Sequence, residues 1–435
     1  MISIEVIDAI PMLGKLAISL GLILLANRLL GNLPASVLLG TFTLGALTGH
    51  TLLAGLRIAL ERLWSVDNFL LIAVIFLVVW LSTQMSMAGI MRDMVETIRR
   101  RLGRRHAMAV LPAVIGFLPM PGGAIFSAPL VDSCDQTGAT APILKARANY
   151  WFRHVWEFWW PLYPGILLAM HLTGLEVWQV MLVGLPLSCA TIAGGYIFLL
   201  RRIRHDIPEK VERAAAEPLY SLCRPIFTVI GGYTVLRLLL AAGQGRYPAL
   251  ADINRYLPML FGILLAMLVL ERWRPLPRSA WRAIIFSNKT LQLALIVAAV
   301  RAYGAFIEAP LPDGTAPITL MQLEMKNWGI PMVAMVMLLP FIAGLTTGLA
   351  VGFVGASFPV IISMLGPEPP LNLLMASAAL AYASGHMGQM LSPVHVCLIV
   401  TNEHFHTDLY HSLRGLLGPA AMVIATALTL YYIMT

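Results

Sequence analysis

Apolar residues in this chain come in long, nearly unbroken runs separated by short polar clusters. Runs of about 17–25 residues suit helices that cross a ~30 Å hydrocarbon layer. They predict spans over 9–30, 33–56, 68–88, 149–172, 175–200, 224–243, 254–271, 283–304, 371–400 and 413–433. Ten-residue alternating segments, the pattern of an outer-membrane barrel, are absent. Two further apolar stretches, 107–132 and 330–363, are interrupted near their middles, the first by Pro119, Pro121, Gly122 and Gly123, the second by Gly344, Gly348, Gly352 and Gly355. A helix broken at membrane depth survives only where its backbone is buried in protein or lines a wet cavity. Both stretches are therefore expected to be re-entrant hairpins.

Polar clusters set the orientation. Basic residues gather at Arg92 with Arg99–Arg105, at Lys145 with Arg147, at Arg201–Lys210 and at Arg272–Arg282. If all of these face the cytoplasm, each intervening span crosses once, each hairpin returns to its own side, and both termini lie outside. The order then repeats: three spans, a hairpin and two spans in residues 1–205, a cytoplasmic linker at 206–222, and the same order in 223–435. Five spans per half is odd, so the second copy is inverted. Amphipathic segments at Ala88–Arg105 and Pro317–Trp328 precede the hairpins and read as interfacial helices. Inverted repeats with broken helices meeting at the midplane are a transporter pattern. The expected fold is thus an all-α polytopic membrane protein, with about ten transmembrane helices plus two re-entrant hairpins, in the inner (cytoplasmic) membrane.

Composition agrees: 58% of residues are hydrophobic and 12% charged, with mean hydropathy +0.78, against about 25% charged in soluble domains. The net charge of +8 sits in the short inter-span clusters, so nucleic acid is not an expected partner. Cys134, Cys189, Cys223 and Cys397 are far apart, without disulfide or metal spacing. Met1–Asp8 lacks the basic region of a cleavable signal. There is no HExxH, GxSxG or CxxC motif, so neither an enzyme nor a bound cofactor is expected, coupling Na⁺ aside. Glu403, His404, His406 and Asp408 fall in a predicted loop and form no recognised metal motif.

Candidate chemistry lies at the breaks. The first hairpin tip offers Pro121, Gly122, Gly123 and Ser127; a half-helix starting near Gly123 would present free N–H groups and a positive dipole end to an anion. The second offers Thr346, Thr347, Gly348, Gly352 and Ser357 for a solute or Na⁺. The span after each hairpin also carries breakers. Pro161 and Pro164 free backbone carbonyls in the first, and Gly385, Gly388 and Pro393 are expected to unwind the second, making Ser384, His386, Gln389 and Ser392 ligand candidates. Ionisable groups inside spans are functional suspects. His154 and Glu157, three apart, share a helix face, with Glu157 about 12 Å along the helix at ~1.5 Å per residue. Asn149, His154, Glu157, Gly352, Ser357 and Ser392 are the candidates for ion coupling. Trp151, Trp156, Trp159 and Trp160 read mostly as an interfacial aromatic belt.

The stretches Leu118–Asp132, Asn149–Gly165 and Met390–Val400 resemble an uncharacterised family of prokaryotic integral membrane proteins, the domain-of-unknown-function 401 family. That family is grouped with an ion-transporter superfamily that includes arsenite, gluconate and C4-dicarboxylate permeases and sodium–proton antiporters. The resemblance implies a homodimer with an elevator-like mechanism. The scaffold would be spans 9–88 and 224–304; the transport part would be hairpins 107–132 and 330–363 with spans 149–200 and 371–433. The Ser-Asn-Thr type hairpin signature of the sodium–dicarboxylate branch is missing, leaving substrate and coupling ion open. The expected function is secondary active transport of a small anionic solute coupled to Na⁺ or H⁺. A Na⁺/H⁺ antiporter without organic substrate and a lipid-handling membrane protein are the alternatives.

Overall fold

The computed structural model describes residues 10–435 except 100–101, 118–123, 136–137, 204–220, 222, 245, 248–249, 251–252 and 255. Among the described residues all regular structure is helical. In chain order the helices are α1 (Met12–Leu30), α2 (Leu33–Leu47), α3 (Leu52–Leu63), α4 (Val66–Met87), α5 (Ile90–Arg99), α6 (Arg104–Gly116), α7 (Ala124–Ser133), α8 (Pro142–Arg153), α9 (Pro164–Thr173) and α10 (Val177–Phe198). They continue as α11 (Arg224–Gly243), α12 (Leu257–Trp273), α13 (Arg278–Ile285), α14 (Asn288–Glu308), α15 (Pro317–Trp328), α16 (Met332–Thr347), α17 (Ala350–Leu365), α18 (Leu371–Met390), α19 (Val396–Phe405), α20 (Leu409–Arg414) and α21 (Leu417–Met434). The predicted linker at 206–222 lies almost wholly outside the described residues.

Five helical stretches are long and apolar enough to cross a membrane: Val66–Met87, Val177–Arg202, Arg224–Gly243, Arg278–Glu308 and Leu409–Met434. Their outward apolar side chains, such as Leu182, Leu238, Leu239 and Leu295, are exposed, as a lipid-facing surface requires.

Three predicted spans are not single helices. Residues 33–56 turn at Gly49, whose φ is +79°, and restart where Thr51 accepts a hydrogen bond from the Ala54 amide at 3.3 Å. A left-handed glycine followed by an N-cap threonine stops a helix whatever the hydropathy around it. Residues 149–172 divide into α8 and α9, with irregular chain at 154–163. Residues 371–400 divide into α18 and α19, with the break at 391–395. Gly385 and Gly388 do not unwind α18 as expected. They let α16 cross it at backbone distance: a Cβ on Gly388 would lie 2.1 Å from the Phe341 carbonyl oxygen, and one on Gly344 would lie 2.1 Å from that of Gly385. Small residues permit such close crossings of apolar helices.

Each interrupted stretch holds two helices that pack together, α6 on α7 and α16 on α17; the predicted first tip, 118–123, lies outside the described residues. In the second, α16 ends at Gly348, held at φ +63° with its amide on the Gly344 carbonyl. The preceding amphipathic helices are present as α5 and α15, and each is tied to an apolar helix. Asp93 on α5 pairs with Arg274 at 2.6 Å. Glu324 on α15 accepts the first amides of α1, Met12 N at 2.6 Å and Leu13 N at 2.8 Å. The chain bends by 109° between α15 and α16.

Asp135 locks the base of the first unit. Its buried carboxylate accepts from Arg104 on α6 at 2.5 Å, from the Thr140 amide at 2.8 Å, and from Lys145 on α8 at 3.1 Å. Burial alone would raise its pKa; the Thr140 amide, Arg104 and Lys145 outweigh that and hold it well below the usual carboxylate range. A depressed folded pKa means that the stabilisation is complete above the unfolded value near 4 and is lost as pH falls through the folded one. Asp135→Asn is therefore expected to cost about 2 kcal/mol at neutral pH, since it removes the buried carboxylate that Arg104 faces and leaves Lys145 with Asp132, at 2.9 Å, as its carboxylate partner. Its deficit against the wild type should shrink on acidification below about pH 4. Thermal unfolding in detergent across that range checks both; a deficit that stays constant in acid refutes the assignment.

Candidate functional site

The site grows from the two chain breaks. Segment 154–163 runs back over the end of α6 and satisfies carbonyls that a helix C-terminus leaves without partners. Trp156 Nε1 donates to Ala113 O at 2.7 Å, Trp160 Nε1 to Phe117 O at 3.0 Å, and the Tyr163 hydroxyl to Gly116 O. Trp151 Nε1 donates to Thr191 O at 2.9 Å. These indoles are helix caps and core, in place of the expected interfacial belt. Segment 391–395 does the equivalent for α16: Ser392 Oγ donates to Leu345 O at 2.6 Å.

The C-terminal ends of α6 and α16 thus each lie against a break, and the contacts are crosswise. First arms pack on the helix that leads into their own half's break, α6 on α8 and α16 on α18; second arms pack on the helix that leaves the other half's break, α7 on α19 and α17 on α9. At the second tip Gly348 lies so close to His395 that a Cβ would meet its amide nitrogen at 3.0 Å. A Cβ on Gly165, at the start of α9, would meet Ala350 Cβ, at the start of α17, at 2.6 Å and the Tyr382 hydroxyl at 3.0 Å. The N-termini of α9, α17 and α19 therefore meet in one place. None carries a side-chain cap: Tyr163, Leu349 and His395 stand at the N-cap positions without that hydrogen bond.

Beside this meeting point lies a buried polar cluster. Glu157 Oε1 faces His154 Nδ1 at 2.5 Å. Its other oxygen accepts from Gln389 Nε2 at 3.4 Å and lies 3.5 Å from His386 Nδ1. His154 and His395 stand edge to face with centroids 5.0 Å apart. His154, Glu157, His386, Gln389 and His395 are all at most 5% exposed. Several polar atoms here have no hydrogen-bond partner among the described residues: Tyr382 OH, Ser384 Oγ, His386 Nε2, Gln389 Oε1, His154 Nε2 and His395 Nδ1. Buried polar atoms are usually satisfied, so this grouping marks room for a ligand or water.

The other candidates fall in different places. Pro121, Gly122 and Gly123 lie outside the described residues. Ser127 is buried in α7 with its hydroxyl unpartnered among the described residues. Thr346, Thr347 and Ser357 donate to carbonyls of their own helices, Ile342 O at 2.7 Å, Ala343 O at 2.7 Å and Phe353 O at 2.6 Å. Gly352 packs under Thr347. Asn149 donates to Thr401 Oγ1 at 3.0 Å and ties α8 to α19. Asp408 caps α20 by accepting from the His411 amide at 2.8 Å. The sequence reading missed His395 and Cys397, which stand with His154 so that one ligand atom of each lies within 4.8 Å of the others. A His-X-Cys pair in a proline-containing break was the available signal.

Residues 17–434 match the model of a family described as "Protein of unknown function (DUF401)", and the chain belongs to that family. No curated protein matches it.

Proposed function

We propose that this DUF401 chain is a multi-pass inner-membrane secondary transporter that carries a small anionic solute, driven by a Na⁺ or H⁺ gradient. The observation that carries this reading is the meeting of three uncapped helix N-termini beside one buried polar cluster, between two helix–break–helix units. Free amides and aligned dipoles make each N-terminus an anion seat. Broken helices that point their positive ends at an anionic group are how many secondary transporters bind substrate near the midplane. Around Glu157 the neighbouring side chains are donors or neutral, namely His154, His386, His395 and Gln389, so a second negative charge is accommodated.

The crosswise contacts support two inverted repeats, each supplying a hairpin and a broken span. The predicted boundaries, 1–205 and 223–435, then separate equivalent copies. The ties of α5 to α12 and of α15 to α1 suit connectors between a fixed scaffold (α1–α4, α11–α14) and a mobile part, in an elevator-like cycle and a homodimer. Glu157, beside His154 and His386, is the candidate for coupling. The hydroxyls of Thr346, Thr347 and Ser357 are already engaged in their own helices, which leaves less for Na⁺ at that tip.

The test is uptake of labelled carboxylates and sulfonates into proteoliposomes under an imposed Na⁺ or pH gradient. At least one anion is expected to accumulate only while its gradient lasts. Proton efflux on adding Na⁺, with no anion flux, would instead favour an antiporter. Absence of flux for every anion under either gradient would remove the reading.

A further inference from the structure

We infer that His154, His395 and Cys397 form a binding site for a borderline-soft divalent metal ion of the zinc class, adjoining the anion seat. The three come from different places: His154 just after α8, His395 in the 391–395 break, and Cys397 in the first turn of α19. All are buried, at 3%, 4% and 6% exposure. One imidazole or thiol atom from each lies within 4.8 Å of the other two. Tetrahedral zinc with bonds of ~2.0–2.3 Å holds neighbouring ligand atoms about 3.5 Å apart, so a contraction of about 1 Å, within side-chain rotation, closes the set.

Three further features fit a metal in particular. His154 Nδ1 is taken by Glu157 at 2.5 Å, while Nε2 has no hydrogen-bond partner among the described residues. That is the carboxylate–histidine–metal arrangement, in which the carboxylate fixes the ring so that the opposite nitrogen faces the ion. Nδ1 of His395 is likewise buried without a hydrogen-bond partner. Cys397 stands in the first turn of α19, beside His395 at its N-cap. Two imidazoles and a thiolate select zinc or similar ions over Na⁺, Mg²⁺ or Ca²⁺, which take oxygen ligands. Three protein ligands leave a fourth position open to water or to the solute.

The experiment uses the full-length protein purified in detergent, stripped with chelator, then dialysed against Zn²⁺ or Co²⁺. About one metal per chain is expected by elemental analysis, with a thiolate-to-cobalt charge-transfer band in the Co²⁺ form. Cys397→Ser should remove that band, and His395→Ala should cut the bound metal at least tenfold. Glu157→Gln should weaken affinity about 10–100-fold while keeping the stoichiometry. Metal no higher than in a protein-free detergent blank overturns the inference, as does a Cys397→Ser protein that keeps both metal and band. Should Cys397→Ser not fold, the wild-type cobalt spectrum decides alone, since a bound ion without thiolate absorption also refutes the site. No flux enters this measurement, so its failure leaves the transport reading standing, and the converse holds.

Discussion

Gly344→Ala should destabilise the protein by about 3 kcal/mol or more, the upper end of what overpacking costs. The reason lies in what the new methyl meets. An ideal Cβ at Gly344 falls 2.1 Å from the carbonyl oxygen of Gly385 and 2.8 Å from the amide nitrogen of Gln389. Both are backbone atoms of α18, so no side chain can turn aside, and α16 must move off α18. That displacement would pull Leu345 O away from Ser392 Oγ and shift Gln389 relative to Glu157, so binding should suffer with stability. Gly388→Ala meets the Phe341 carbonyl oxygen at 2.1 Å and should behave alike. Gly231 on α11 supplies the opposite sign, because a Cβ there meets nothing within 4 Å. Alanine at that exposed helical position should be neutral or stabilise by up to ~1 kcal/mol. Thermal unfolding of the three variants in one detergent separates these outcomes. A Gly344→Ala protein that melts with the wild type would mean that the close crossing of α16 and α18 is wrong.

Glu157→Gln should lower gradient-driven anion uptake at least tenfold while leaving the protein folded. Glutamine keeps the size of glutamate, and its one amide oxygen can still accept from His154, while its amide nitrogen can donate to Gln389 once that side chain turns its own amide oxygen inward, so the local hydrogen bonds lose strength but not geometry. A neutral acceptor gives roughly half the strength of an ionised one, a loss of about 1 kcal/mol. What disappears is the carboxylate that faces His154, His386 and Gln389 at the point where the two breaks meet. Without it, the cluster has no acidic group with which to exchange a coupling cation. Proteoliposome uptake at matched protein density, with size-exclusion profiles as the fold check, measures the effect. Uptake at the wild-type rate under the same gradient would take Glu157 out of the coupling step.

The sequence alone located most helices and the interruption of the second stretch. Helix 224–243 matches α11 to the residue, and Pro317–Trp328 is α15 to the residue. Long apolar runs bounded by charge leave a chain in lipid little choice, because every backbone group must be paired within its own helix. The second hairpin was legible for the same kind of reason, as Gly348 supplies the left-handed turn that no β-branched neighbour could. Breaks at Pro161, Pro164 and Pro393 were visible because proline removes a donor wherever it stands. His154 and Glu157 were found because charge inside an apolar run is costly.

Tertiary structure alone decided which glycines break helices and which join them. Gly385 and Gly388 look like breakers in one dimension, but the partner helix α16 occupies the space their missing side chains leave, and packing outweighs propensity. The same holds for Trp156 and Trp160, whose indoles find α6 carbonyls far from them in sequence. Bringing His386, Gln389, His395 and Cys397 to His154 and Glu157, more than 200 residues earlier, depends on the crosswise packing of two hairpins on two breaks. Local periodicity fixes what each segment becomes; which segments meet is settled by complementary surfaces, and those exist only once the helices have formed.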